Sequence, residues 1–143
     1  MEYIKSFNEN QNSEILELKD FCEINLAYLL DHGIELEVVE NPGGFKSFIL
    51  IKVRLYIYKR TLIKINKFTL FFSEWDNLKD YIIPFITRLN NEYLVQKEIN
   101  FLKKAGNHMV KTNSIIDDTV PNFYEVRCIY IWLKVNNNKI LKK

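Results

Sequence analysis

Glycine, proline, cysteine and histidine are all scarce in this chain, and each scarcity removes a class of proteins. Of 143 residues only 4 are Gly, 3 Pro, 2 Cys and 2 His. Cys22 and Cys128 make no disulfide framework, so the expectation is a reducing, cytoplasmic setting with two ordinary core thiols. His32 and His108 lie far apart, and neither stands at ligand spacing from a cysteine, so neither a zinc site nor any other cofactor is expected. The P-loop, GxGxxG, GxSxG and HExxH patterns are all missing. Gly43-Gly44 leads from one strand into another, which leaves no helix N-terminus to hold a phosphate. Asp117-Asp118 reads as a solvated loop pair, and nothing pairs Glu35, Glu37 or Glu40 with a nucleophile. The chain is therefore expected not to be an enzyme. No apolar run approaches the roughly 20 residues that a membrane helix needs. The opening MEYIKSFNENQN has no apolar signal core and carries Glu2 and Glu9, so it reads as no secretory leader.

What is present describes an ordinary globular domain. Hydrophobic residues make up 48% and charged residues 27%, enough for a core and too apolar for global disorder. The length suits one domain, read as residues 13–135 between a loose arm (1–12) and a basic tail (136–143). Ile, Lys and Asn, all with AT-rich codons, contribute 18, 16 and 16 residues. Such usage points to an AT-rich genome: a low-GC bacterium, its phage or mobile element, or a large AT-rich virus.

Charge is segregated. Residues 1–44 carry ten acids against two bases, whereas residues 45–72 carry seven bases and no acid. The two blocks read as faces that answer each other, or else as a bipolar binding surface.

The most regular stretch is Phe48–Lys59, FILIKVRLYIYK. Its odd positions are aliphatic, while the even ones run from Phe48 and Leu50 to Lys52, Arg54, Tyr56 and Tyr58. A period of two over this length predicts a long strand with one buried and one wetter face. Before it, Ser13 caps a helix over 13–32 with Ile15, Leu18, Cys22, Leu26, Leu29 and Leu30 on one side, widened by Phe21, Ile24 and Tyr28, and Gly33 stops it. Residues 34–40 alternate as a strand, and Asn41-Pro42-Gly43-Gly44 closes a hairpin.

After the long strand, 61–72 reads as a returning strand with a bulge near Asn66-Lys67. Ser73-Glu74-Trp75-Asp76 opens a second helix, to about residue 92, kinked by Pro84. Composition favours a helix over 92–105, ended by Gly106, then a loop over 106–122. Residues 123–135 return to strand. Apolar residues on both parities of its second half predict an inner strand or one covered on both sides. The fold expected is α+β: an antiparallel sheet of about four strands, with two to three helices packed mainly on one face.

These observations favour a non-catalytic interaction protein, encoded by a phage or mobile element. It would bind stoichiometrically to a host macromolecular complex, such as a nucleic-acid-handling defence system, and inhibit it. The partner-binding residues expected are Glu35, Glu37 and Glu40 toward a basic partner, and Lys52, Arg54, Tyr56 and Tyr58 toward an acidic one, with Trp75 or Trp132 as aromatic anchors. The alternative is direct nucleic-acid binding by the Lys52–Tyr58 face, helped by Lys64 and Lys67. No membrane partner is expected. The oligomeric state stays open, with a homodimer through an exposed C-terminal strand among the choices.

Overall fold

The computed structural model describes residues 2–44, 47–55, 74–104, 108–117, 119–136 and 139–143, with side chains from residue 13 onward. Helix α1 (Glu2–Asn25) is followed by the short α2 (Ala27–Asp31). The first helix thus starts well before Ser13, which is an interior residue and not a cap, and residues 2–12 continue the helix where a loose arm was expected. Leu26, at φ −112° and ψ 12°, separates α1 from α2, although its N–H still donates to the Cys22 carbonyl at 2.9 Å. Leu18, Cys22, Leu26 and Leu29 are buried, whereas Ile24 is 75% and Tyr28 48% exposed, so the apolar face is narrower than periodicity suggested. Gly33, at φ 92°, ends the helix as expected.

Strands β1 (Glu35–Glu40) and β2 (Phe48–Arg54) form the predicted hairpin. Its turn places Asn41, Gly43 and Gly44 at φ 50°, 61° and 83°, a run of left-handed conformations that glycine adopts without a Cβ penalty. The second half of the long strand, the returning strand with its bulge, and Ser73 lie outside the described residues.

Helix α3 (Trp75–Glu92) runs unbroken through Pro84 and buries Trp75, Leu78, Ile82, Phe85, Ile86 and Leu89. Its first amides are satisfied by backbone carbonyls: Trp75 N–H donates to Tyr124 at 2.8 Å and Asp76 N–H to Asn122 at 3.1 Å. These are the donors a helix start otherwise leaves orphaned.

The helix expected over 92–105 does not form across 95–103. These residues form β3 (Val95–Lys103), followed by β4 (Met109–Thr112) inside the expected loop. Two features disguise β3. Glu98 and Asn100 occupy core-facing positions, while Ile99 and Phe101 point the other way. A register shift at Gln96 also breaks its alternation, and a second shift places its extra residue, Arg127, in β5. Strand β5 (Glu125–Asn136) is indeed an inner strand, lying between β2 and β3 in the order β1-β2-β5-β3-β4, and β6 (Lys139–Ile140) pairs back onto its end. All described pairings are antiparallel. The antiparallel sheet therefore has six described strands, more than the four or so expected.

The helices share a single core cluster with one sheet face, Ile49, Ile51 and Val53 of β2 and Ile129, Ile131 and Leu133 of β5. Burying each such aliphatic side chain contributes about 1.5–3 kcal/mol. Because β5 is central, it offers no edge to a second copy; the outer strands of the sheet order are β1 and β4. The basic tail is part of the fold. Ile140 is buried, and its N–H donates to the Glu14 carboxylate at 2.9 Å. Among the described residues, no helix is long and apolar enough to cross a membrane.

Candidate binding face of the sheet

Antiparallel register puts directly opposed residues on the same side of a sheet. Lys52 opposes Tyr130, Leu50 opposes Trp132 and Arg54 opposes Cys128 across β2 and β5. Lys97 opposes Trp132, Ile99 opposes Tyr130 and Phe101 opposes Cys128 across β3 and β5, and Lys111 of β4 opposes Phe101. All these side chains share the face turned away from the helices. None belongs to the core cluster or packs against it, and even Leu50, 5% exposed, stays outside.

Rings and cations alternate on this face. Phe101 meets Tyr130 edge-on with centroids 5.3 Å apart, and Tyr130 meets Trp132 edge-on at 6.0 Å. Lys52 Nζ lies 5.7 Å from the Tyr130 centroid, Lys97 Nζ 5.9 Å from Trp132, and Lys111 Nζ 5.4 Å from Phe101. Each lies within the roughly 6 Å over which a ring face attracts a cation. The carboxylates sit at the margin. Arg54 stands between Glu35 and Glu37, at 3.9 and 3.7 Å, and Glu125 is 3.0 Å from Arg127. Burial raises the Tyr130 phenol above its ordinary value, and its hydrogen bond to Cys128 adds to this. Burial likewise raises the Cys128 thiol, against a smaller lowering by that bond and by Arg54. Cys128 therefore stays protonated, and it sits half-buried on the open face and not in the core.

The residues expected from sequence divide three ways. Lys52 and Arg54 lie on this face, as do Glu35 and Glu37. Glu40 opposes Ile49 and belongs to the other parity, so the three glutamates form no single acidic face. Tyr56, Tyr58, Lys64 and Lys67 fall outside the described residues. Trp75 is only 4% exposed, whereas Trp132 stands on the open face. Sequence reasoning missed Lys97, Phe101 and Lys111, because their strands were read as helix and loop. In β3 the available signal was the shared parity of Lys97, Ile99 and Phe101, with Glu98 and Asn100 between them.

Other candidates have different surroundings. His32 Nδ1 lies 2.7 Å from the Tyr28 carbonyl. Asp117 is exposed, with its N–H donating to Ser114 Oγ at 3.2 Å, and Asp118 lies outside the described residues. Glu98, 8% exposed, accepts hydrogen bonds at one carboxylate oxygen from Asn100 Nδ2 and from the Ile115 N–H. Among the described residues, no three His, Cys, Asp or Glu side chains come together as metal ligands would. Comparison with profiles of known protein families, with curated proteins and with solved structures returned no match.

Proposed function

We propose that this protein is a non-catalytic binding protein, which acts by stoichiometric occupation of another macromolecule through the sheet face turned away from the described helices. The observation that carries this reading is the row Phe101–Tyr130–Trp132 with a lysine over each ring. Tyrosine and tryptophan presented on one rigid surface are among the residue types that dominate binding energy, and the lysines add attraction to an acidic partner. A pleated sheet fixes their spacing, so little conformational entropy is lost on association. Glu35 and Glu37 face Arg54, so the basic and aromatic centre carries the contact. The AT-rich coding bias supports a phage or mobile-element origin. In that setting, a binder of this kind would block or modulate a host assembly that handles nucleic acid.

The test is capture from lysate of a low-GC bacterium, with and without nuclease, using the wild-type protein and Trp132→Ala. A partner should be retained in fixed molar ratio by the wild type and reduced roughly tenfold by the variant, the scale of one lost hot spot. Circular dichroism verifies that the variant remains folded. Equal recovery by both proteins would exclude this face as the binding surface.

A further inference from the structure

We infer that the occupant of this face is a single strand of nucleic acid, whose bases stack on Phe101, Tyr130 and Trp132 and whose phosphates run along Lys111, Lys52 and Lys97. This inference rests on the surface reading above and names its ligand. Charge is the first support. Among the described residues, none of these three lysines has a carboxylate within ion-pairing distance, whereas Arg54 and Arg127 do. The cations that stand over the rings are thus the ones left without a carboxylate partner.

The repeat is the second support. A ring paired with a cation occurs three times, each Nζ 5.4–5.9 Å from its own ring centroid, and these are the residue types that meet a polymer carrying one flat base and one phosphate per unit. An acidic peptide would answer the cations and leave the rings without flat partners. A duplex presents its bases stacked on each other, so the rings have nothing to receive.

The chemistry of the face also sets its selectivity. The residues in register across it are aliphatic, aromatic or charged, apart from Cys128, whose thiol is engaged with the Tyr130 hydroxyl. Among the described residues in register on this face, no amide side chain stands to read a base edge and no aliphatic hydroxyl to meet a ribose 2′-hydroxyl. The binding proposed is therefore sequence-tolerant and indifferent to the sugar.

Fluorescence anisotropy with labelled thymidine-DNA and uridine-RNA strands of about 15 nucleotides, and with a matching duplex, tests this. Both single strands should bind with affinities within about threefold of each other, and the duplex more weakly. Three phosphate contacts predict that log K falls against log salt with a slope near about −2. Lys97→Gln should make that slope shallower by about 0.7. Trp132→Ala should weaken binding roughly tenfold and leave the slope unchanged, since stacking is not ionic. A merely structural role for Trp132 would alter both readouts. The inference is overturned if neither strand binds, or if the duplex binds as tightly as the single strands. Should the strands fail while lysate capture still depends on Trp132, the face serves a protein and only this inference falls. Should both fail, the surface reading falls with it.

Discussion

Cys22 is wholly buried, and that burial, with a smaller contribution from Glu23, pushes its thiol from 9.0 to about 12. Burial, reinforced by Glu17 and Glu92, pushes Tyr93 from 10.0 to about 12. Both groups keep their protons in the folded protein to higher pH than in the unfolded chain. Between about pH 9 and about pH 12 the unfolded chain therefore binds fewer protons, and stability falls as pH rises. Cys22 alone contributes a loss of about 1.4 kcal/mol per pH unit once pH exceeds the unfolded thiol's value. Urea midpoints from about pH 8 to about pH 11 should decline, and Tyr93→Phe, which keeps the ring, should flatten the decline above about pH 10. A decline of the same steepness in Tyr93→Phe would show that the phenol takes no part. The buried Glu98–Asn100 pair is the other feature legible only at this scale. A carboxylate inside a core is tolerated because partners satisfy it, and here one of them, the Ile115 N–H at 2.7 Å, is 17 residues away.

Among the elements, α3 carries a conflict between local preference and packing. Pro84 has no N–H to donate to the Asp80 carbonyl, and its ring crowds that turn. The helix nevertheless continues, because Ile82, Phe85, Ile86 and Leu89 are all buried against the core. Pro84 itself is exposed, so its removal costs no packing. Pro84→Ala should stabilise the protein by about 1–3 kcal/mol, part of the usual penalty for an interior proline. This would be read as a higher urea midpoint at unchanged slope. A lower midpoint would mean that the proline-imposed shape of α3 is needed by the fold. In β3 the conflict runs the other way. Polar residues on the core side, apolar ones on the opposite side and a register shift at Gln96 obscure the period of two that made β2 easy to recognise.

For the whole molecule, the last five residues act as a clasp. Strand β6 pairs with β5, the Leu94 N–H donates to the Leu141 carbonyl at 3.0 Å, and the Lys143 N–H donates to Glu92 at 3.0 Å. Lys142 reaches Glu17 of α1 at 3.3 Å. This segment therefore joins α1, the α3–β3 junction and the centre of the sheet. Ile140→Ala should destabilise the protein by about 2–4 kcal/mol, as expected for truncation of a well-buried aliphatic side chain. Thermal or urea unfolding measures this. A change below about 0.5 kcal/mol, the size of a surface substitution, would show that the clasp does not hold the fold together. The outer strands are charged, with Glu35 and Glu37 on β1 and Lys111 on β4, a pattern that discourages edge-to-edge pairing.

Local pattern was enough to identify the elements whose burial is periodic and whose ends are chemically marked: the β1–β2 hairpin with its Asn41–Gly44 turn, the two faces of β2, the apolar stripe of α3, and Gly33 as a stop. Periodicity works there because each side chain's environment alternates with the local geometry of its own element. Long-range packing was needed to place β5 at the centre of the sheet, to make β3 a strand at all, and to bring Phe101, Tyr130 and Trp132 into one row. Strand neighbours are chosen by contacts between residues far apart in the chain. A buried Glu98 is admissible only once Asn100 and the Ile115 N–H are there to satisfy it.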